Sequence, residues 1–336
     1  MNYSLCNDWF FTEHCDDAFL RGEPAKAERV RLPHTCRELP LHYAAPKDYE
    51  MVCGYRRYFA APESGDRLFL RFDGAAHQAE VFVNGKKAGE HRGGYTAFTL
   101  EITDLVHPGE GNLLSVRLDT REDPQLPPFG FVIDYLTYGG LYREVWLETS
   151  AQCRMEELFV YTPSLTEADI SLKLDRPREN GQLRLSLQNS AGETMETKLL
   201  SQTAEIHARI SLPDAAAWTP ETPVLYACMA ELLDEKGQTL DVCRTRFGFR
   251  TAVFRADGFY LNGKKTFLRG LNRHQSYPYI GYAAPERLQR EDARILKQEL
   301  GCNAVRTSHY PQSHHFLDAC DEMGLLVFTE LPGWQH

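Results

Sequence analysis

The sequence contains no uninterrupted apolar run near the roughly 18 residues that a membrane-spanning helix requires. Its first residues have neither the basic nor the apolar segment of a secretory leader, which predicts a cytoplasmic protein, or a periplasmic or secreted one if a leader has been removed. No basic run exceeds two residues, and the net charge is −10. Nucleic acids and membranes are therefore not expected to be partners.

Closely spaced cysteines are also absent. The nine cysteines are odd in number and irregularly spaced, and no two of them form a C-x-x-C pair. Disulfide scaffolds and structural zinc sites both need tighter clustering than this. The thiols are therefore predicted to be reduced and mostly buried.

The first 150 residues contain a series of short alternating segments. Asn84-Gly85 predicts a tight hairpin, because both residues tolerate the positive φ of a type I′ turn. Short strands at this spacing indicate a β-sandwich or jelly roll for residues 1–150. The predicted strands lie at 68–72, 79–83, 97–102, 113–118 and 143–149.

Residues 151–250 repeat the alternating pattern on a smaller scale. Strands are predicted at 170–174, 183–187 and 206–210, with polar or glycine-containing turns between strands. About 100 residues with roughly seven such strands fit an immunoglobulin-like β-sandwich.

From residue 251 to 336 the pattern changes to alternating strands and helices. After a small hairpin at Asn262-Gly263, the predicted order is β-α-β-α-β, which is typical of a (β/α)8 TIM barrel. Only the first three strands and two helices are predicted, so the barrel is expected to be incomplete. The strands lie at 266–271, 303–308 and 325–330, and the helices begin at Pro285 and Ser313.

Each predicted helix has an apolar face and a glycine after its last turn. Gly301 and Gly324 stand where a left-handed C-cap belongs. The apolar face of the first helix is predicted to comprise Leu288, Ile295, Leu296 and Leu300, and that of the second Phe316, Leu317, Cys320 and Met323.

Polar residues lie at the carboxyl ends of the three barrel strands, where side chains of a TIM barrel converge on the pocket. Imidazole and guanidinium donors suit a sugar, and an arginine beside a carboxylate keeps that group ionised. Simpler structural roles remain open: a turn cap for His309, a strand-end salt bridge for Arg306 and a purely structural role for His274. The residues concerned are His274, Arg306, Ser308, His309 and Glu330.

Two segments resemble the signatures of glycoside hydrolase family 2. These are Gly270-Leu-Asn-Arg-His274 and Asn303-Ala-Val-Arg-Thr-Ser-His-Tyr-Pro311. Supporting similarities lie at 81–85, 134–145 and 222–226, so the resemblance extends over nearly the whole chain. It implies a sugar-binding jelly roll, an immunoglobulin-like sandwich and a TIM barrel, in that order.

The resemblance also implies a set of substrate-binding residues. Arg306 is similar to the arginine that positions and ionises the nucleophile, and His274 and His309 are similar to pocket histidines. Asp134 is similar to a jelly-roll carboxylate that holds sugar hydroxyls, although it could also be an ordinary surface residue. Glu330 is expected either to accept hydrogen bonds behind the pocket or to line it. Trp334 is expected to stack on a sugar or to pack in a loop.

The reaction implied is retaining hydrolysis of a terminal β-glycoside, which needs an acid/base glutamate and a nucleophilic glutamate. Both belong to later barrel strands in this family, so no catalytic residue is assigned and the chain alone is predicted to be inactive. The first segment favours a β-galactosidase over a β-glucuronidase or another β-glycosidase of the family. A non-catalytic carbohydrate-binding protein and an assembly subunit completed by a partner chain remain alternatives. The expected partner is a β-linked oligosaccharide or glycoside, and assembly into a homo-oligomer is left open.

No metal or other cofactor is assigned. Magnesium or sodium occurs in the family, and well-known β-galactosidases place magnesium-binding Glu and His residues after the third strand. Here Trp334 stands where that glutamate would be, although His336 could match the histidine. The ligand pattern is therefore not matched.

Overall fold

The computed structural model describes residues 2–40, 42, 44–62, 65–128 and 133–333. It confirms the predicted fold class: two β-sandwiches precede three strands and two longer helices of a TIM barrel. Within these residues no helix combines the length and apolarity needed to cross a membrane. Seven of the nine cysteines are buried, as expected.

The first sandwich consists of two antiparallel sheets in the described residues. One has the order β3-β2-β4-β9-β6-β7 and the other β1-β10-β5-β8. The strands are β1 Asn2–Ser4, β2 Trp9–Thr12, β3 Glu28–Val30, β4 Val52–Ala60, β5 Arg67–Phe72, β6 Gln78–Val83, β7 Lys86–Arg92, β8 Phe98–Glu101, β9 Gly111–Asp119 and β10 Val145–Ser150, with a short helix α1 Asp17–Leu20 after β2.

All five strands predicted for this sandwich are present, and the predicted hairpin joins β6 to β7 with φ of 51° at Asn84 and 77° at Gly85. The long strand β4 was not predicted. Its alternation is broken at Cys53, Gly54 and Tyr55, which are all buried. Phe19 of α1 lies so close to Gly54 that a Cβ there would meet its ring at 2.8 Å. Both faces of β4 are covered at this point, so the two-residue period disappears.

The second sandwich has the predicted seven strands within residues 133–333, which are described without a gap. A three-stranded sheet, β11-β12-β15, packs on a four-stranded sheet, β14-β13-β16-β17. The strands are β11 Met155–Tyr161, β12 Glu167–Leu174, β13 Gln182–Gln188, β14 Thr194–Ser201, β15 Glu205–Ser211, β16 Tyr226–Leu233 and β17 Thr239–Phe247.

The third part begins with a small antiparallel sheet and continues into three parallel strands. Asn262 and Gly263 form the predicted hairpin turn with positive φ. The elements are β18 Ala252–Arg255, β19 Gly258–Leu261, β20 Lys264–Lys265, β21 Gly270–Arg273, α2 Glu286–Arg294, a π-helical turn Ile295–Glu299, β22 Ala304–Thr307, α3 His314–Met323 and β23 Leu326–Phe328, with sheet order β21-β22-β23.

Two predictions for this part were wrong in detail. The first barrel strand is Gly270–Arg273, later than the predicted 266–271, and its first three residues are exposed rather than buried. Phe267 is 80% exposed and Leu271 is 51% exposed. Strand β21 pairs with β22 on one side, and no described strand lies on its other side, so its apolar side chains are not covered.

The buried face of α2 also differs from the predicted one. Gln289, Ala293 and Leu296 are buried, whereas Leu300 is 56% exposed and Leu288 and Ile295 are half-buried. The π-helical turn explains Leu300, because its N–H donates to Ile295 O and the wider turn rotates it off the face. The face of α3 is as predicted, and Gly301 and Gly324 have positive φ at the two helix ends.

The jelly roll and the barrel segment share one apolar core. Tyr282, Ala283 and Tyr310 of the barrel segment belong to the same buried cluster as Tyr95 and Tyr142 of the jelly roll. The Tyr282 hydroxyl donates to Leu136 O at 2.9 Å. This core brings residues 133–144, which precede β10, against the carboxyl ends of the parallel strands.

Candidate active site

Four of the predicted site residues come together at the carboxyl ends of the parallel strands. Arg306 lies in β22 opposite Asn272 of β21, and His274 follows β21 directly. His309 and Glu330 lie just beyond the ends of β22 and β23. Parallel pairing places these positions at one edge of the sheet, as the predicted barrel topology requires.

Arg306, His309 and Glu330 form a connected polar cluster. Arg306 Nε donates a hydrogen bond to Glu330 Oε1, and Glu330 Oε2 lies 2.9 Å from His309 Nδ1. Arg306 Nη2 is 3.3 Å from the same Nδ1. A proton on Nδ1 satisfies the carboxylate and leaves that nitrogen unable to accept from Arg306. Both carboxylate oxygens of Glu330 are therefore engaged, which suits an acceptor that orients its neighbours.

His274 lies beside this cluster. Its Nδ1 is 3.2 Å from the Tyr310 hydroxyl, and its ring is 5.3 Å from that of His309 in an edge-to-face arrangement. Burial lowers the pKa of His274, the charges on His309 and Arg306 lower it further, and those on Asp134 and Glu330 oppose the change. His274 is therefore neutral at pH 7 and presents one donor and one acceptor.

Tyr135, in the segment 133–144 that precedes β10, forms a wall of the site. The Tyr135 ring lies 5.3 Å from that of His274 and 5.9 Å from that of His309. Burial, together with the charges of nearby carboxylates, raises the pKa of Tyr135 to about 12, so the phenol stays protonated. Asp134 is exposed in the same segment, near enough to influence the charge of His274. The first sandwich thus contributes Tyr135 to the barrel site.

Tyr135 was not predicted as a site residue. Tyr135 belongs to the 134–145 segment that carried part of the family resemblance. Because it is an aromatic residue directly after the predicted Asp134, the sequence offered a reason to include it. Its position depends on the packing of the jelly roll against Tyr310, whose ring is 5.6 Å away. Local sequence patterns do not report such packing between domains.

A second unpredicted feature is the network that holds the end of β21. Arg273 is buried, and its Nε donates to Asp292 of α2 at 2.8 Å while its Nη2 donates to Gln289 at 2.7 Å. Gln312 Nε2 donates to Arg273 O at 2.7 Å, and the guanidinium lies 4.0 Å above the Phe316 ring. These contacts fix the backbone that precedes His274.

The remaining predicted residues do not add to the cluster. Ser308 is buried, and its hydroxyl makes no hydrogen bond within the part of the chain that the structure describes. Trp334 and His336 lie outside the described residues. Among the described residues no three His, Cys, Asp or Glu side chains are placed to hold a metal ion. The expectation of an unmatched metal-ligand pattern rested on Trp334 and His336, so it stays a prediction.

Comparison with known proteins decides the family. A model of the glycosyl hydrolase family 2 sugar-binding domain matches residues 34–151, a second family 2 model matches 153–250, and the family 2 TIM barrel model matches 253–336. The chain belongs to glycoside hydrolase family 2. The predicted resemblance is confirmed.

The relatives of this family 2 chain are named for two different activities, β-galactosidase and β-glucuronidase. A β-galactosidase from Thermoanaerobacter pseudethanolicus is 40% identical over 350 residues, covering 100% of this chain and 47% of the relative. A β-glucuronidase from Bacteroides fragilis is 33% identical over 351 residues, covering 98% and 49%. The crystal structure of Bacteroides uniformis β-glucuronidase matches with a TM-score of 0.87 and 30% identity, covering 99% and 42%. The chain spans about half the length of the curated relatives that it matches.

Proposed function

We propose that this chain supplies the sugar-binding part of the active site of a retaining β-glycosidase, and that the substrate is a β-galactoside. The observation that carries the proposal is the cluster of Arg306, His309 and Glu330 beside His274, walled by Tyr135. It combines directional donors and acceptors with one aromatic face. That combination suits a pyranose, which has polar hydroxyl edges and apolar C–H faces.

The same cluster supports the proposal that the 336-residue chain does not hydrolyse glycosides by itself. Retaining hydrolysis needs two carboxyl groups about 5–5.5 Å apart, one protonated and one free to attack. Glu330 has both oxygens engaged by Arg306 and His309, so it suits neither task. Asp134 is an exposed loop residue and supplies no second group of a matched pair.

A β-glucuronidase is the second candidate, favoured by the names of the Bacteroides relatives. A glucuronate carboxylate requires a cationic partner that is free to pair with it. Arg306 is the cation of the described cluster, and it already donates to Glu330. The β-galactoside is placed first because Gly270-Leu-Asn-Arg-His274 resembles the β-galactosidase form of the family signature.

The experiment compares turnover of 4-nitrophenyl β-D-galactopyranoside and 4-nitrophenyl β-D-glucuronide by the natural gene product that carries these residues. We expect a higher kcat/KM for the galactoside and, by NMR, an initial product of retained configuration. The 336-residue chain assayed in parallel is expected to give no turnover above buffer. Preference for the glucuronide would replace the galactoside by the second candidate. Failure to hydrolyse either compound, or inversion, would overturn the proposal and favour a carbohydrate-binding protein.

A further inference from the structure

The outer face of the three-stranded sheet in the second sandwich carries two exposed aromatic rings. Phe159 and Tyr161 are two residues apart on β11, and their side chains are 56% and 59% exposed. The neighbouring Leu158 and Val160 turn inward and pack against the core of the sandwich. Large apolar side chains that stand together on a surface are a common mark of a binding site.

Cross-strand pairing extends each ring into a row of polar side chains. Phe159 pairs with Ser171 of β12, which pairs with His207 of β15. Tyr161 pairs with Asp169, which pairs with Arg209 in the same way. The rows lie about 7 Å apart along the strands and extend about 10 Å across the sheet. Together the six side chains line an open groove of about 480 Å³.

The charges on this face are largely paired with one another. Arg209 donates to both carboxylate oxygens of Asp169 at 2.6 and 2.8 Å, and it lies 3.8 Å from Glu167. In the next row Lys173 lies 3.1 Å from Glu157. The cations are therefore engaged, and an anionic ligand would meet carboxylates. Ser171 and His207, whose side chains lie 3.3 Å apart, add further hydrogen-bonding groups beside the rings.

From these observations we propose that this face, formed by Phe159, Tyr161, Ser171, His207 and the Asp169–Arg209 pair, binds a neutral β-linked glycan chain. The rings stack against the C–H faces of successive sugars, and the polar rows hydrogen-bond to their hydroxyls. An extended β-linked chain fits a shallow groove on three strands. The site lies in the second sandwich, apart from the cluster around Arg306, and does not depend on the proposed hydrolysis.

A second copy of the chain is a poorer occupant of this face. A stable interface covers about 800 Å² on each partner and has an apolar centre. Two rings of roughly 200 Å² each, already partly buried and flanked by charged rows, supply much less apolar area. A groove of this composition suits a slender polar ligand better.

The test is affinity electrophoresis of the folded chain in native gels that contain soluble β-1,4-galactan. We expect the galactan to retard the wild-type chain. The double variant Phe159→Ala with Tyr161→Ala is expected to bind about tenfold or more weakly, because both stacking rings are lost. Phe159→Leu with Tyr161→Leu keeps apolar bulk without the rings and should show the same loss.

The matched control is Met195→Ala with Leu199→Ala, which removes two exposed apolar side chains from β14 of the other sheet. It should bind the galactan like the wild type. Retardation should also persist with excess methyl β-D-galactopyranoside, which competes only for a single-sugar pocket.

Several outcomes would overturn the proposal. One is that galactan does not retard the wild-type chain. Others are that the Met195/Leu199 control loses as much retardation as the Phe159/Tyr161 variant, or that the monosaccharide abolishes the retardation of the wild type. A dimer in light scattering that the Phe159/Tyr161 variant converts to a monomer, with galactan retardation unchanged, would make the face a subunit interface instead.

Discussion

At the scale of single residues, the site depends on three side chains, Arg306, His309 and Glu330, that contact one another. Glu330 Oε1 accepts a hydrogen bond from Arg306, and Glu330 Oε2 lies 2.9 Å from His309 Nδ1. A guanidinium makes such contacts with a planar set of donors, and an ammonium does not reproduce that geometry. Arg306 thus aligns the Glu330 carboxylate, and that carboxylate in turn orients the His309 imidazole.

Replacing Arg306 by lysine tests this alignment. In the natural gene product we expect Arg306→Lys to lower kcat/KM on an aryl β-galactoside by about 10²-fold or more, because misplacement of the surrounding groups by about 1 Å is sufficient for such a loss. The melting temperature should change little, since the pair is partly exposed and contributes only about 1 kcal/mol.

Arg184→Lys is the matched control. Arg184 and Arg306 are each 38% exposed, and Arg184 pairs with Glu231 in the second sandwich, away from the site. It should leave kcat/KM within twofold. Equal losses in the two variants would show that Arg306 has no special role.

At the scale of elements, each barrel helix ends at a glycine, but the two glycines differ in what surrounds them. A Cβ on Gly324, at the end of α3, would meet Pro220 O of the second sandwich at 2.2 Å. A Cβ on Gly301, after α2, would meet nothing within 4 Å. Lys297 strengthens the same junction, because its Nζ donates to Pro220 O at 2.7 Å and to Gly324 O at 2.9 Å.

Alanine substitution at the two glycines should therefore give different losses of stability. Gly301→Ala costs about 1–2 kcal/mol of unfolding free energy, the strain of a left-handed residue. Gly324→Ala carries the same strain plus a backbone clash and should cost at least about 3 kcal/mol. Urea denaturation followed by circular dichroism measures both. Equal losses would mean that the contact with Pro220 does not constrain the helix end.

The start of α3 carries an ion pair to the jelly roll. His315 Nε2 lies 3.1 Å from Glu144 Oε1, and its Nδ1 lies 3.9 Å from Glu286 of α2. Burial would lower the pKa of His315, but the hydrogen bond to Glu144 and the charges of Glu144, Glu286 and Asp318 outweigh burial and raise the pKa. Contact with His315 likewise leaves the pKa of Glu144 lowered despite its burial.

The pH dependence follows from these directions. Because the pKa of His315 is higher in the folded than in the unfolded chain, the protonated His315 stabilises the folded state fully at pH values below 6.5. This stabilisation is lost as the pH rises through the pKa of His315 in the folded chain. The lowered Glu144 pKa contributes above 4.5 and is lost as pH falls through its own folded value.

His315→Gln should therefore lower stability most between about pH 4.5 and 6.5, by roughly 1–2 kcal/mol, and progressively less toward pH 9. Melting temperatures across this range test the expectation, with His14→Gln on the exposed surface as the control. A deficit independent of pH would contradict the ion pair. The adjacent His314 and the jelly-roll Asp73 also face this junction and are unchanged in both variants.

At the scale of the whole molecule, the jelly roll and the barrel segment unite around a buried cation. Arg143, 7% exposed, donates through Nη2 to Pro311 O at 2.9 Å and to Gln275 Oε1 at 3.3 Å. Its Nη1 donates to Asp73 O and to Tyr95 O at 3.3 and 3.4 Å. One side chain thus joins both units just behind the pocket.

Arg143→Met leaves these acceptors buried without their donor, and we expect it to lower the unfolding free energy by about 3–5 kcal/mol. Hydrogen exchange should accelerate in the segments around Gln275 and Pro311. Arg121→Met, whose side chain is 61% exposed, should cost less than about 1 kcal/mol. A small effect at Arg143 would mean that the shared apolar core alone holds the two units together.

Local residue patterns were sufficient to predict the class of each part of the chain. Alternation identified five strands of the first sandwich and three of the second. Turn chemistry identified Asn84-Gly85 and Asn262-Gly263, and helical spacing with terminal glycines identified α2 and α3. The motif residues identified the family and four members of the site cluster. These features are local, because each depends on residues within a few positions of one another.

The tertiary structure alone decided what each local feature contacts. Both faces of β4 are covered in the folded chain, so its residues do not alternate between apolar and polar. Gln289 is buried because its side-chain oxygen accepts a hydrogen bond from the buried Arg273. The tertiary structure left Leu271 exposed, and it brought Tyr135 to His274 across two domains. Burial and long-range pairing are properties of the assembled chain, and short-range periodicity carries no information about them.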